Sequence, residues 1–288
     1  MNPKRLVTFI LITAAVATIM YFVGQKISST QSLEIMSTTL TIQVHDRHPS
    51  RHINEAFDLA RRIDALLSRF NPKSDVSLIN HFAGVSAIEV SPETLEAIQL
   101  SIEMSRLTGG AFDITKKDYS LINTDASLKR VKLISDEAEI DLGGIGKGYA
   151  VEKIYALLKE RGVKKALIDM HSSLAAIGGP WRIGIQDPND KEKLVGTVEL
   201  HDGQALSTSG NYERGDHIVN PNDKTQSSKC RSVTVLCKDA AVADALSTAV
   251  FVLGPEKGLE LINSLDNTEC LIVQNDGKIV KTKGFILL

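Results

Sequence analysis

A glycine-rich segment that runs directly into a helical pattern constrains the fold of this chain most strongly. Residues 141 to 150 contain four glycines within six positions and one lysine, Lys147, and an apolar helical pattern begins at Val151. Glycine lets a backbone approach a ligand closely, and the free N–H groups of a helix N-terminus attract anions. The segment matches neither G-x-G-x-x-G nor G-x-x-x-x-G-K-[ST]. It is therefore either a phosphate-binding turn or a tight strand-to-helix turn without a ligand, and these residues alone do not decide between the two.

The N-terminus carries an uncharged stretch of 20 residues, Leu6 to Gln25, preceded by Lys4 and Arg5. A helix of this length, at about 1.5 Å per residue, spans the roughly 30 Å hydrocarbon core of a bilayer. The two basic residues favour a cytoplasmic N-terminus, which places the remaining chain on the periplasmic side of a bacterial inner membrane. An uncleaved anchor is favoured over a signal peptide because no small-x-small cleavage site is evident. The predicted divisions are a transmembrane anchor or signal segment at 1–26, a polar linker at 27–35 and the functional domain at 36–288.

The composition indicates a globular protein without a nucleic-acid partner. The chain has 33 Lys and Arg against 35 Asp and Glu, a net charge of −2, and no basic run interleaved with aromatic residues. It therefore lacks the electrostatic pattern of a nucleic-acid-binding surface. An apolar content of 43% is sufficient for a hydrophobic core. The three cysteines, Cys230, Cys237 and Cys270, form no C-x-x-C pair and are expected to be buried apolar side chains.

Hydrophobic periodicity predicts a mixed α+β fold in one domain. Alternation with period two indicates strands, and apolar spacings of three and four indicate amphipathic helices. The predicted helices cover residues 50–70, 92–108, the glycine-rich segment to 162, 239–254 and 256–265, and the predicted strands cover 36–44, six short segments between 166 and 237, and two segments between 271 and 280. Helices come early, strands cluster in the middle and helices return late, without a clear internal boundary.

Two polar residues stand out in the late helix. Asp244 and Thr248 are four residues apart, so they share one helix face among small and apolar neighbours. A carboxylate in such surroundings is costly unless it is paired or bound to a metal. One carboxylate, one hydroxyl and a backbone carbonyl form a reasonable part of a Mg²⁺ shell that substrate phosphates can complete. The alternative is an ordinary acid near a helix N-terminus beside a threonine bonded to its own helix.

Two further polar segments suggest ligand contacts. His217 follows the polar stretch Ser207–Arg214 by a few residues, and hydroxyl, imidazole and guanidinium groups can all contact phosphate. Spacing alone identifies no catalytic triad there. Earlier in the chain, Asp113 follows the pair Gly109-Gly110. A glycine cap at the end of a helix explains the two glycines but not Asp113.

Seven motifs occur in this chain in a characteristic order. They are M-S-T-T from Met36, S-R-F-N-P from Ser68, T-G-G-A-F-D from Thr108, D-L-G-G-I-G-K-G-Y-A from Asp141, S-T-S-G-N-Y-E-R from Ser207, H-I-V-N-P from His217 and A-D-A-L-S-T from Ala243. Together they resemble the ApbE family of FAD:protein FMN transferases over about residues 35–288, which implies an ApbE-type, T-fold-like α+β domain. The chain departs from the family in having His171-Ser172-Ser173 where a Gly-Gly pair followed by a polar residue is usual, and its segment from Thr115 to Asp141 is shorter.

The resemblance implies a Mg²⁺-dependent enzyme that transfers FMN from FAD to a Ser or Thr hydroxyl of a partner protein and releases AMP. The implied partner is a membrane or exported flavoprotein of electron transport. By motif position, FAD is expected to contact Met36, Phe70, Ala111, Phe112, Asp113, Asp141, Lys147, His217 and Ile218. The metal is expected to bind the carbonyl of Gly144 together with Asp244 and Thr248. Asp244 and His217 are the implied catalytic residues, the first holding the metal and helping to deprotonate the acceptor, the second orienting the pyrophosphate.

Two other classes of function stay open for this sequence. One is an enzyme that only hydrolyses FAD to FMN and AMP. The other is a membrane-tethered protein that binds flavin or assists assembly without catalysis.

Overall fold

A computed structural model describes residues 27–115, 117–210 and 229–288 of the chain. The predicted membrane segment at 1–26 and the predicted site residues His217 and Ile218 lie outside these ranges. Within the ranges described, no helix has both the length and the apolar character needed to cross a bilayer.

A large antiparallel sheet forms the centre of the described fold. The strands are β1 (Ile27–Ile35), β2 (Thr38–Asp46), β3 (Ile88–Glu89), β4 (Ile122–Asp125), β5 (Arg130–Leu133), β6 (Ala166–Asp169), β7 (Ser173–Ile177), β8 (Trp181–Asp187), β9 (Asp190–Leu200), β10 (Ala205–Gly210), β11 (Cys230–Cys237), β12 (Glu269–Gln274) and β13 (Ile279–Lys281). Eight of them form one sheet in the order β1-β2-β6-β7-β10-β11-β12-β13. Two smaller sheets, β3-β5-β4 and the β8-β9 hairpin, flank it.

Helices cover one face of the large sheet. They are α1 (Pro49–Leu67), α2 (Asp75–His81), α3 (Pro92–Leu107), α4 (Gly146–Glu160), α5 (Ala240–Leu253) and α6 (Pro255–Asn263), with short 3-10 turns at Tyr119–Leu121 and Leu142–Gly144. Apolar side chains of the helices and of this face form the main core. The β8-β9 hairpin and the C-terminal segment around Phe285 cover part of the opposite face and enclose a second, smaller core.

Strand alternation decides which residues reach each core. On β10, Ala205 belongs to the main core and Leu206 to the second core. The next residue, Ser207, returns to the helical face because successive side chains of a strand point to opposite sides. On β7, Leu174 faces the second core, so Ser173 points towards the helices. The helical face of these two strands is therefore polar at adjacent positions.

Helix α5 is almost entirely enclosed by the fold. Eleven of its residues are buried, which agrees with a helix that is apolar on all sides. Its N-cap, Asp239, accepts hydrogen bonds from the N–H groups of Ala241 and Val242 at 2.8 and 3.0 Å. Asp244 lies in the second turn of this helix with 3% of its surface exposed. The fold thus places a carboxylate deep inside the protein.

The predicted linker at 27–35 is wrong, because these residues form β1 and pair along their whole length with β2. The sequence did not predict this strand because most of its residues are polar. An edge strand with little burial tolerates polar residues. The strand predicted from Met36 starts instead at Thr38. Met36 and Ser37 form the two-residue turn of the hairpin, with φ angles of 51° and 58°. Positive φ at both central residues is the geometry of a type I′ hairpin turn.

The remaining predicted elements agree with the structure. The helices predicted at 50–70, 92–108, 239–254 and 256–265 correspond to α1, α3, α5 and α6, with ends shifted by a few residues. The mixed α+β class is confirmed. The three cysteines are buried and free, as expected.

Candidate active site

Gly148 brings the start of α4 into direct contact with α5. A Cβ atom at this position would collide with the carbonyl oxygen of Ala240 and would lie 2.6 Å from the Cβ of Asp244. The N–H of Gly148 donates a hydrogen bond of 2.9 Å to Asp244 Oδ2. Only a glycine permits this approach, so the glycine-rich segment and the buried carboxylate form one structural unit.

Asp244 is surrounded by hydrogen-bond donors without a cationic partner among the described residues. Ser207 Oγ donates to Asp244 Oδ1 at 3.0 Å, and Ser173 Oγ lies 3.1 Å from Ser207 Oγ. The carboxylate is 3% exposed, and a buried charge is costly unless an opposite charge compensates it. Each carboxylate oxygen keeps acceptor capacity beyond its one hydrogen bond. This environment fits a bound cation.

The other two predicted metal ligands lie beside Asp244. A Cβ atom on Gly144 would lie 3.7 Å from Thr248 Oγ1, so the 3-10 turn that ends at Gly144 meets α5 one turn beyond Asp244. Ser209 Oγ lies 3.2 Å from Thr248 Oγ1. A carboxylate, hydroxyls and a nearby carbonyl are the oxygen ligands that Mg²⁺ prefers. The structure therefore brings Gly144, Asp244 and Thr248 together.

Asp141 stands at the entrance to the glycine-rich segment. Its Oδ1 accepts a hydrogen bond of 2.9 Å from the N–H of Gly143 and so caps the 3-10 turn. Arg69 Nε lies 3.5 Å from Asp141 Oδ2. The same guanidinium lies 4.7 Å from the ring centre of Phe70, whose side chain is 78% exposed. An exposed aromatic ring next to a cation forms a platform on which a flat ring can stack.

Lys147 and Met36 border the same region. Lys147 is partly buried on the first turn of α4, and no carboxylate of the described residues pairs with it. A lysine at this place can contact phosphate, because the positive end of the helix dipole adds to its charge. The side chain of Met36 reaches from the β1-β2 turn to Gly146, where an added Cβ would lie 3.3 Å from Met36 Cε.

The predicted contacts Ala111, Phe112 and Asp113 are buried more deeply than the resemblance suggests. Ala111 and Phe112 each expose 2% of their surface and belong to the main core. Asp113 organises the following loop: its Oδ1 accepts hydrogen bonds of 2.7 Å from the N–H and the hydroxyl of Thr115, and its Oδ2 accepts one of 2.8 Å from the N–H of Tyr119. Burial raises the pKa of Asp113, and these hydrogen bonds oppose the shift. Contacts of these three residues with FAD stay a prediction.

His171 and Ser172 lie in the turn between β6 and β7, and Ser173 is the first residue of β7. His171 has a φ of 66°, a backbone conformation that glycine adopts more readily, and its side chain is exposed. Ser173 is fully buried and contacts Ser207. The departure from the Gly-Gly pattern is therefore confined to His171 and Ser172, and the His171 side chain is exposed. Ser173, at the position that is usually polar in the family, adds a hydroxyl to the Asp244 environment through Ser207.

Arg69 and the buried serines around Asp244 had no predicted role in metal binding or ring stacking. The signal for the serines was present in S-T-S, because Ser207 and Ser209 are two residues apart and a strand places both on one face. The link between Ser173 and Ser207 depends on the pairing of β7 with β10, which no local pattern reveals. His217 and Ile218 lie outside the described residues, and their predicted roles stay predictions.

Known proteins resemble this chain over most of its length. A protein of Klebsiella pneumoniae (strain 342) named FAD:protein FMN transferase is 27% identical over an alignment of 287 residues. The match covers 86% of this chain and 90% of that protein. A protein of the same name from Escherichia coli (strain K12) is 26% identical, with 76% of this chain and 75% of its own length covered.

Solved structures share the fold. The crystal structure of the ApbE protein of Thermotoga maritima has a TM-score of 0.82 and 26% identity, over 89% of this chain and 97% of that chain. The apo form of the Pseudomonas stutzeri flavinyl transferase ApbE has a TM-score of 0.78 and 25% identity, over 90% and 96%. The sequence profile of the ApbE family matches residues 36–272. This chain belongs to the ApbE family.

Proposed function

We propose that this protein transfers FMN from FAD to a serine or threonine hydroxyl of a partner flavoprotein, with Mg²⁺ as the required metal and AMP as the second product. The observation that carries the proposal is the buried Asp244 carboxylate, held by Gly148 and Ser207 with Thr248 and Gly144 beside it. Relatives from Klebsiella pneumoniae and Escherichia coli carry the name of this activity and support it.

The reaction exchanges the phosphoanhydride bond of FAD for a phosphoester bond to the acceptor hydroxyl. The acceptor oxygen attacks the phosphorus on the FMN side of the FAD pyrophosphate, and the bond from that phosphorus to the bridging oxygen breaks. AMP leaves with the bridging oxygen, and the hydroxyl proton passes to a base or to solvent. Mg²⁺, when bound, neutralises charge on the phosphate oxygens. Such transfers depend mainly on positioning and charge neutralisation, so the protein has to hold the pyrophosphate and the acceptor in line.

The residues of this chain divide that task. Asp244, Thr248 and the Gly144 carbonyl would hold the metal, and Lys147 would contact the pyrophosphate next to the N-terminus of α4. Phe70 and Arg69 offer the exposed surface on which a ring of FAD can stack. Both oxygens of Asp244 already accept hydrogen bonds, which favours a role in holding the metal over a role as the base. We assign the orientation of the pyrophosphate to His217, as the family resemblance implies.

The predicted location of the domain indicates which class of protein can be the acceptor. If residues 1–26 anchor the chain in a bacterial inner membrane, the domain lies on the periplasmic side and meets membrane or exported flavoproteins of electron transport. Expression of the full chain and protease digestion of intact spheroplasts test this placement. Digestion of the domain without cell lysis is expected, whereas protection until lysis would contradict it.

Incubation with FAD, Mg²⁺ and a panel of purified extracytoplasmic electron-transport flavoproteins tests the activity. The expected result is an acceptor whose intact mass rises by FMN minus water, together with one AMP for each FMN transferred. FMN and AMP formed without any acceptor modification would instead indicate a hydrolase. Intact FAD that stays bound would indicate a binding or assembly protein.

A matched pair of variants connects the activity to the site. Asp244→Asn removes the charge at nearly constant volume and is expected to lower transfer about 100-fold or more, because loss of a metal ligand should cost more than loss of a hydrogen-bonding partner of a ligand, which typically costs about 10–100-fold. Thr234→Val changes an equally buried side chain on β11, whose hydroxyl pairs with Thr208 at 3.0 Å, and should leave transfer unchanged. Full transfer by the Asp244 variant would refute the assignment.

A further inference from the structure

Four serine hydroxyls form short hydrogen-bond chains that lead to the two α5 residues predicted to bind the metal. Ser173 on β7 and Ser207 on β10 connect to the side chain of Asp244, and Ser209 on β10 connects to Thr248 and to Ser247 of α5. Ser173, Ser207 and Ser247 expose none of their surface. Each hydroxyl has one proton to donate and two lone pairs to accept with, so its donors and acceptors can be assigned by counting protons.

The first chain of hydroxyls ends on the Asp244 carboxylate. An ionised carboxylate only accepts hydrogen bonds, so the single proton of Ser207 points to Asp244 Oδ1, 3.0 Å away. Ser207 Oγ must then accept in its contact with Ser173 Oγ at 3.1 Å, and Ser173 is the donor. Together with the Gly148 N–H on Oδ2, this chain fixes the orientation of the carboxylate on both oxygens.

The second chain ends on Thr248. Ser247 Oγ contacts the backbone carbonyl of Asp244 at 2.9 Å, and a carbonyl accepts, so the Ser247 proton is used there. Ser209, 2.8 Å from Ser247 Oγ, therefore donates to Ser247 and has no proton left for its second contact. In that contact, at 3.2 Å, Thr248 Oγ1 must be the donor. The Thr248 proton thus points to Ser209, and the lone pairs of Thr248 stay available.

We propose that four serines are positioning residues that direct the lone pairs of Asp244 and Thr248 towards a bound divalent cation. They are Ser173, Ser207, Ser209 and Ser247. A hydroxyl can bind a cation only through a lone pair, so its proton must point away from the cation. Ser209 Oγ accepts the Thr248 proton and so keeps it away from the metal site. Hydrogen-bonding partners behind metal ligands fix ligand orientation, and their loss typically lowers metal affinity about 10–100-fold.

This inference rests on the metal site of the proposed function and extends it to residues that need not contact metal or FAD. It predicts a defined pattern of coupling. Ser173 acts only through Ser207, and Ser209 acts on the cation only through Thr248. Residues that act through one partner show no further effect once that partner is removed.

Binding of Mn²⁺, followed by the electron paramagnetic resonance signal of the free ion, tests the proposal without relying on catalysis. Mn²⁺ prefers the same oxygen ligands as Mg²⁺. The full chain is titrated with Mn²⁺ alone and in the presence of FAD. Ser207→Ala and Ser209→Ala are each expected to raise the Mn²⁺ dissociation constant about 10-fold or more. Ser173→Ala should weaken binding in the wild type but not in a Ser207→Ala background, and Ser209→Ala should have no effect in a Thr248→Val background.

Thr234→Val is the matched control, because its buried hydroxyl pair with Thr208 lies on the opposite face of the same sheet, and Mn²⁺ binding should not change. Thermal unfolding of each variant separates a loss of fold from a loss of affinity. If Ser207→Ala does not fold, Ser209→Ala decides, since Ser209 is only partly buried. If the folded Ser207→Ala and Ser209→Ala variants bind Mn²⁺ as tightly as the wild type, the positioning role of the serines is refuted and the proposed function is not. A wild type that binds no Mn²⁺ under either condition would overturn both.

Discussion

The close approach of α4 to α5 at Gly148 makes Gly148→Ala a demanding perturbation. The new methyl group would collide with the carbonyl of Ala240 and would lie 2.6 Å from Asp244 Cβ, and neither atom is the end of a flexible side chain. The helices must separate, which stretches the hydrogen bond from the Gly148 N–H to the carboxylate. Overpacking costs about 1–3 kcal/mol and a weakened hydrogen bond to a charged group about 1.5–3 kcal/mol. Alanine offsets about 1 kcal/mol through its higher helix propensity.

We therefore expect Gly148→Ala to lower the free energy of unfolding by about 3 kcal/mol in urea denaturation. Gly146→Ala is the matched control, because its new methyl group would meet only Cε, the end of the flexible Met36 side chain, at 3.3 Å. That variant should stay within about 1 kcal/mol of the wild type. Equal stability of the two variants would show that α4 and α5 are not held together through Gly148 as described.

Three further perturbations test other parts of the structure. Burial raises the pKa of Glu152 to about 7, above its value of 4.5 in an unfolded chain, so stability falls as the pH rises from about 4.5 to about 7. Glu152→Gln should therefore raise the melting temperature at pH 8 but not at pH 4, and an equal gain at both values would contradict this. Lys129 is exposed and has a φ of 50°, so Lys129→Gly should stabilise the protein by up to about 1 kcal/mol in urea, whereas a loss of stability would argue against strain there. Burial raises the pKa of the thiols of Cys230, Cys237 and Cys270 to about 12, so a disulfide reagent should modify them only after unfolding, and rapid labelling of the native protein would refute their burial.

Much of the fold follows from local patterns. Helix α1 carries strong apolar periodicity, and α3 and α5 carry recognisable start signals, Pro92 at the start of α3 and the Asp239 cap of α5, so the positions of all three were predictable. Strand β1 was not, because its sequence is polar and its structure depends on pairing with β2. The small β3-β5-β4 sheet was missed for a similar reason, since its strands are only two to four residues long.

The site shows the same division between local and tertiary information. The spacing of Asp244 and Thr248 on one helix face was readable from the sequence, and so was the glycine-rich turn. The contact that joins them spans 96 residues and depends on the absence of a side chain at Gly148. The hydroxyls of Ser173 and Ser207 meet only because β7 pairs with β10. Residues such as Phe112 match a family motif and yet lie in the core, so a motif alone does not indicate exposure.

The role of Asp244 in metal-dependent transfer can be measured on the acceptor protein. Intact-mass analysis of an acceptor flavoprotein, incubated with FAD and either wild-type protein or Asp244→Asn, reports transfer at the level of the covalent product. We expect a mass gain of FMN minus water that requires the wild-type protein and Mg²⁺ and is lost with the Asp244 variant. An unchanged mass gain with Asp244→Asn, or in the presence of a metal chelator, would contradict the role of the buried carboxylate in a metal-dependent transfer.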